Sequence, residues 1–405
     1  MRDKIKNKVL NPFLYFFTSE SSSGIILLIC AIVAVIIANS DFGAIYENIL
    51  HTYIGIGLGK FSLSMSVLHW VNDGLMAIFF LVVGMEIKRE LVIGELKSLK
   101  KTILPISAAI GGMIIPAIIY TLFNYNEPTI SGWGVPMATD IAFALGVLSL
   151  VGKNAPKGIA VFLTALAIVD DLGAIIVIAI FYTNQISWTA LIIGGVIYLV
   201  LILANKLQIK YMSVFIIGGV ILWICILKSG IHATIAGVLL GMVLPIGKSA
   251  QEFETSILYK LEHILTPWSS FLIMPIFALA NSGVRINSGS FSSMIFSPVS
   301  LGIIFGLFIG KQIGVYGVSY IMVRLKIAKL PSNVTKRHIY GASILSGIGF
   351  TMSLFVSSLS FVDESILSAA KMSIMIASIL AAICGAIVFK FINSGENNKF
   401  RDKNV

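Results

Sequence analysis

The chain has 405 residues, 57% apolar and only 12% charged, with 29 lysines and arginines against 19 acids and a formal net charge of +10. A soluble domain of this length carries about twice that charged fraction, so the composition excludes a water-exposed surface over most of the chain and makes lipid its solvent. The positive balance is no nucleic-acid footprint, because the basic residues stand in short clusters between apolar runs, as at the inner ends of membrane spans.

The first apolar run starts near Gly24 and is followed by Asn39, Ser40 and Asp41 without a small-x-small cleavage pattern, so it reads as a span and not as a removed leader. Runs of spanning length are predicted at 22–39, 67–86, 102–123, 131–150, 158–182, 188–205, 212–227, 230–246, 265–283, 299–323, 338–359 and 366–391. The fold class is therefore an all-α polytopic membrane protein of about twelve helices, one membrane domain over 1–405. With the N-terminus placed inside, all but five of the basic residues fall on the inner side. Lys60, Lys228, Arg285 and Lys371 lie outside, and Lys311 lies within a span. That asymmetry sets both termini in the cytoplasm. Cys30, Cys225 and Cys384 sit inside apolar runs and read as small buried hydrophobes, with no disulfide or metal spacing.

Between the first two spans, residues 52–67 change period. Ile54, Ile56 and Leu58 alternate with glycine, and Phe61, Leu63 and Met65 with serine, with Gly59-Lys60 at the turn. A period of two predicts an external β-hairpin. It serves either as an amphipathic loop resting on lipid or as an edge that pairs with a second subunit.

Five ionisable residues fall inside apolar runs: Asp73, Asp140, Asp170, Asp171 and Lys311. Each costs roughly 2.5–3.5 kcal/mol at mid-bilayer on insertion scales, so each needs a partner or a wet cavity. Asp170 and Asp171 point about 100° apart on a helix. A structural ion pair with Lys311 accounts for one of them and leaves the other for function. Asp140 follows Gly132, Gly134 and Pro136. These residues predict an interrupted helix whose new N-terminus the carboxylate complements, although a Pro kink in a continuous helix serves this segment equally well. The eleventh run supplies the counterpart, with Gly341, Gly347 and Gly349 among Ser343, Ser346, Thr351 and Ser353. On this topology spans 3–5 (102–182) and 10–12 (299–391) are inverted repeats, and interrupted helices at matching positions mark a midplane site. Asp73 lies near an external helix end, where capping is as good a reading as transport. Glu86, Arg89, Glu90, Glu262 and His263 form an inner rim, either plainly solvated or a cation funnel, and His232 reads as a packing residue.

Taken together, T-D-I-A-F-A-L-G (139–146), A-L-A-I-V-D-D-L-G-A-I (165–175), K-S-G-I-H-A-T (228–234), I-G-K (309–311) and G-I-G-F-T-M-S (347–353) resemble the NhaA-type sodium/proton antiporter family. So do W-V-N-D-G-L-M-A (70–77) and G-M-E-I-K-R-E-L (84–91), and the likeness covers nearly the whole chain. The resemblance implies electrogenic exchange in a bacterial inner membrane, with Asp170 and Asp171 binding Na+ or Li+ and releasing protons. It implies Lys311 as partner of Asp170, and Asp140 with Lys311 as complements to the crossing helix ends. It also implies Glu86, Arg89, Glu90, Glu262 and His263 as a pH-sensing entrance, where Thr266 replaces a frequent histidine and Tyr259 a lysine. Sodium is a hard cation, and the Asp pair, Thr139 and backbone carbonyls offer the oxygens it needs. No cofactor, enzymatic step or nucleic acid enters this chemistry, and the partners are Na+, Li+, H+, membrane lipid and a second copy through the 52–67 hairpin. A sodium-coupled solute symporter is the alternative, but it needs a second basic group at depth. An intramembrane aspartyl protease needs a G-x-G-D element that is absent.

Overall fold

The computed structural model describes residues 20–58, 61–94, 97–152, 155–183, 186–247, 250–285 and 291–401. Helix dominates, because a chain in lipid has to satisfy its backbone groups within each segment. Among the described residues eight helices are long and apolar enough to cross a bilayer: Val67–Val92, Thr102–Phe123, Lys157–Phe181, Trp188–Lys206, Met212–Ser229, Ile257–Asn281, Pro298–Arg324 and Glu364–Ile392. Three sharply bent pairs raise the number to eleven when each is taken as one span. They are Ser22–Ala38 with Gly43–His51, Pro128–Met137 with Ile141–Val151, and Lys336–Leu345 with Phe350–Ser360.

Two predicted spans differ in the structure. The run at 230–246 holds a helix of only ten residues, Thr234–Val243. At 1.5 Å per residue it is about 15 Å long, half the hydrocarbon thickness. Gly230 ends the preceding helix in the left-handed conformation (φ 84°), and this turn leaves less of the run to form the next helix. The run at 265–283 begins eight residues earlier, at Ile257, where Ser256 caps the helix by accepting from the Tyr259 N–H at 3.1 Å. Glu262 and His263 thus sit inside this helix and not ahead of it.

The hairpin forms as two antiparallel strands, β1 (Tyr53–Leu58) and β2 (Phe61–Ser66). Ile54 faces Met65 and Ile56 faces Leu63, while Gly55 faces Ser64 and Gly57 faces Ser62. Alternation therefore puts the apolar pairs on one face and the small residues on the other. The Trp70 indole donates to the Ile54 carbonyl at 3.1 Å and fastens β1 to the start of the next helix. The turn at Gly59-Lys60 lies outside the described residues, as do the terminal basic residues Arg2, Lys4, Lys6, Lys8 and Lys403.

Contacts divide the chain into two compact units, Met1–Cys30 with Lys100–Asp170 and Ile286–Val405, and Ala31–Leu99 with Asp171–Arg285. In the second unit, Val67–Val92 and Thr234–Val243 cross at backbone distance. A Cβ on Gly84 would lie 2.7 Å from the Val238 carbonyl oxygen, and one on Gly241 would lie 2.7 Å from the Gly84 carbonyl carbon. Without a water-driven force between helices in lipid, such close approach supplies the packing. Met85, Phe215, Leu222 and Leu258 fill the core around it. Lys88 donates to the Leu244 carbonyl at 2.6 Å and closes the C-terminal end of the short helix. On the outer helices, Ile192, Val196, Leu199, Ile217 and Val220 are exposed, as lipid-facing residues should be.

In the first unit, Thr102–Phe123 and Pro298–Arg324 cross through Gly111, Gly310 and Gly314. A Cβ on Gly310 would lie 2.9 Å from Pro116 Cα. Two π turns, Gly306–Gly310 and Gln312–Gly317, interrupt Pro298–Arg324 on either side of Lys311. Such turns recur at functional positions in helices.

Candidate ion-binding site

Two of the three bent pairs, Pro128–Met137 with Ile141–Val151 and Lys336–Leu345 with Phe350–Ser360, lie in the first unit, and their breaks carry the site. A 3-10 segment, Pro128–Met137, includes Pro136 and ends at Ala138, which is extended (φ −78°, ψ 149°). The α-helix restarts at Ile141, with Asp140 as its N-cap. In the second pair Lys336–Leu345 stops before Ser346, and Phe350–Ser360 restarts after Gly349. Gly347 is small because Leu307 approaches it: a Cβ there would lie 2.6 Å from the Leu307 carbonyl oxygen.

The two breaks bond to each other. The Asp140 N–H donates to the Ile348 carbonyl at 2.7 Å, and the Ser353 hydroxyl donates to the Val135 carbonyl at 2.8 Å. Asp140 then serves both new helix starts. One oxygen, Oδ1, accepts from the Phe143 N–H at 3.0 Å. The other, Oδ2, accepts from the Thr351 N–H at 3.1 Å and its hydroxyl at 2.5 Å. One carboxylate thus complements two positive helix ends. Sequence reasoning does not single out Thr351 and the Ile348 carbonyl as its partners. The dense hydroxyls of 343–353 are the visible signal, and a carbonyl leaves none.

Asp170, from Lys157–Phe181, and Lys311, from Pro298–Arg324, meet beside these breaks. Both side chains are 0% exposed, and Lys311 Nζ donates to Asp170 Oδ2 at 2.5 Å. The Thr139 hydroxyl lies 2.7 Å from the same Oδ2 and 2.9 Å from the Ser346 carbonyl oxygen. With one proton, it serves one acceptor at a time. Asp170 Oδ1 is buried and has no hydrogen-bond partner among the described residues. Gly112 packs against the Lys311-bearing helix, since a Cβ there would lie 2.7 Å from Val315 Cγ2. The structure therefore brings Thr139, Asp170 and Lys311 together, with an oxygen-rich break alongside. Asp171 is the next residue of the same helix and is also buried.

The rim residues lie in the second unit. Arg89 pairs with Glu262, and its Nη2 lies 3.5 Å from Glu90 Oε1. Arg89, Phe253, Tyr259, Glu262, His263, Thr266 and Pro267 line a cavity of about 260 Å³. Tyr259 stacks on His263 at 5.9 Å, and the Thr266 hydroxyl turns back to the Glu262 carbonyl at 2.7 Å. Glu86 is half-buried on the Val67–Val92 helix and does not line this cavity. Asp73 lies in a π turn, Trp70–Leu75, whose backbone receives the Trp223 indole at 3.0 Å. His232 Nε2 lies 2.8 Å from the Tyr182 carbonyl oxygen, as expected of a packing histidine.

A family model described as Na+/H+ antiporter 1 matches residues 15–389. The chain belongs to that family. Among its relatives is "Na(+)/H(+) antiporter NhaA 2" of Clostridium beijerinckii, 77% identical over 393 residues and covering 97% of each chain. "Na(+)/H(+) antiporter NhaA 1" of the same organism is 74% identical over 392 residues, 97% of this chain and 98% of its own. "Na(+)/H(+) antiporter NhaA" of Pelagibacter ubique is 46% identical over 389 residues, 96% of this chain and 99% of its own. Among the described residues no group of three or more His, Cys, Asp or Glu is placed to hold a resident metal ion. In this family the cation is cargo.

Proposed function

We propose that this chain exchanges Na+ for H+ across a bacterial inner membrane, electrogenically and by alternating access, with Asp170 and Asp171 as the carriers. The observation that carries this reading is the state of Asp170: one oxygen shared by Lys311 and Thr139, the other without a hydrogen-bond partner among the described residues, both out of water. A buried carboxylate has to be balanced by a proton, a cation or an ammonium. Lys311 fills that role while the site is empty of sodium. Entering Na+ takes carboxylate oxygens, Thr139 and the carbonyls at the breaks, and displaces the ammonium and the protons with it. Protons returning from the other side expel the Na+. Sodium and protons thus compete for the same oxygens, and exposing them alternately to the two sides gives antiport. More protons enter than sodium ions leave, so a potential negative inside drives the cycle.

In this reading the two interrupted helices belong to inverted repeats at 102–182 and 299–391 within a twelve-span protein whose termini face the cytoplasm. Pro136, Gly347 and Gly349 keep the breaks open, and Asp140 with Lys311 compensates the helix ends. The cavity at Arg89, Glu262 and His263, with Glu86 and Glu90 nearby on the helix, is the pH-sensing cytoplasmic entrance. Li+ enters the same site, and the 52–67 hairpin joins two copies. Lys311 is the only buried lysine or arginine among the described residues, and Asp170 holds it. Among the described residues no other buried lysine or arginine remains for an organic acid, so the symporter reading loses its anchor.

The test is Na+-driven proton movement in acid-loaded inverted vesicles at mildly alkaline pH. Adding Na+ should raise the internal pH with the natural chain and leave it unchanged with Asp171→Asn. A natural chain that gives no response overturns the proposal.

A further inference from the structure

We infer that the segment joining the Lys311-bearing helix to the second broken pair forms a binding site for the headgroup of an anionic phospholipid. The segment runs from the end of Pro298–Arg324 to the start of Lys336–Leu345. Residues 320–340 contain Arg324, Lys326, Lys329, Lys336 and Arg337 and no aspartate or glutamate. All five basic side chains are exposed, and none forms an ion pair among the described residues.

Clustered inner charge alone is ordinary for a membrane protein. Three further observations make this cluster a site for lipid. First, one of its cations rests on a group of aromatic rings: Lys336 Nζ lies 4.6 Å over the Tyr320 ring, Tyr316 is 6.2 Å from Tyr320, and Tyr340 meets Tyr316 edge-on at 5.4 Å. Tyrosine rings of this kind sit at the headgroup level of a bilayer, which fixes the depth of the ammonium. Secondly, Leu325 and Ile327 flank Lys326 and are 63% and 51% exposed. Apolar chains beside a cation suit the boundary between headgroups and acyl chains and suit nothing in water. Thirdly, the surface is preformed. Lys326 turns the chain in the left-handed conformation (φ 60°), the Ile327 N–H bonds to the Met322 carbonyl at 3.1 Å, and Ala328 and Val334 are buried beneath. The occupant that meets both the charge and the apolar pair is an anionic phospholipid of the facing leaflet, not a free anion. This inference needs only that the chain sits in a membrane, whichever ion it moves.

Each basic residue at an anionic membrane surface is worth about fivefold in affinity. Purified protein in neutral detergent is titrated with short-chain phosphatidylglycerol, with short-chain phosphatidylcholine and with inorganic phosphate, and adducts are read by native mass spectrometry. The natural chain should retain phosphatidylglycerol over phosphatidylcholine. Replacing Arg324, Lys336 and Arg337 together by glutamine should weaken that retention about a hundredfold. The charge-keeping set Arg324→Lys, Lys336→Arg and Arg337→Lys should preserve it. Should the triple glutamine variant fail to fold, Lys336→Gln alone should give about a fivefold loss. Equal retention of phosphatidylcholine, displacement by phosphate at matching concentration, or unchanged affinity in the glutamine variants would overturn the inference. The readout involves no transport, so its failure is distinct from failure of the antiport reading.

Discussion

Asp170 and Lys311 hold each other where neither reaches water, so each is a liability without the other. Removing one partner of such a buried pair costs about 3–5 kcal/mol, whereas removing both with residues of similar volume is close to neutral. Asp170→Asn and Lys311→Met should each lower the melting temperature of purified protein substantially, and the double variant should lose less than either single change. A double variant that loses the sum of the two would show that the groups act independently. The sequence makes this pair visible because a charge inside an apolar run stands out. It does not say whether Asp170 or Asp171 takes the lysine, since helix phase needs the positions of neighbouring helices. Nor does it reveal the Ser346 and Ile348 carbonyls, because every residue carries a carbonyl and only the fold decides which ones turn inward.

Helices in this chain are set by where they break and where they touch. Gly84 and Gly195 both sit in apolar helices, yet a Cβ on Gly84 meets the Val238 carbonyl oxygen at 2.7 Å while one on Gly195 meets nothing within 4 Å. Gly84→Ala should therefore destabilise by about 1–3 kcal/mol. Gly195→Ala should be neutral or stabilising by up to about 1 kcal/mol. Thermal unfolding of the two variants side by side checks this, and equal losses would remove the close crossing as the cause. The hairpin is legible because glycine and serine alternate with large apolar residues. The break before Asp140 is legible because Pro136 lacks an N–H. The short helix Thr234–Val243 is hidden, since the non-helical residues on either side of it, 230–233 and 244–246, carry no aspartate, glutamate, lysine or arginine to mark its ends. The early start at Ile257 is hidden for the opposite reason: Lys260, Glu262 and His263 lower the hydropathy of the first two turns, which are helical all the same.

At the scale of the whole molecule, the basic loops and the exposed aliphatic belt orient and hold the chain in lipid, and the charge moved per cycle is the property to measure. In proteoliposomes with a potassium gradient and valinomycin, the exchange rate should change with the sign of the imposed potential. An electroneutral exchanger would show no change. The aliphatic surface of Trp188–Lys206 and Met212–Ser229 is readable from composition alone. The division into two compact units is not, because it depends on contacts between segments far apart in the chain.

The partners of Asp140 have a consequence for how the protein is made. Thr351 lies 211 residues downstream of Asp140, and the Ser346 carbonyl beside Thr139 lies 207 residues downstream. A ribosome adding about 5–20 residues per second takes roughly 10–40 s to supply them. Through that interval the break at 138–140 is in or near the membrane with one carboxylate oxygen and backbone groups that only later chain can satisfy. A nascent chain halted before residue 336 should therefore hold this segment shielded by the insertion machinery, or lose it to quality-control proteolysis.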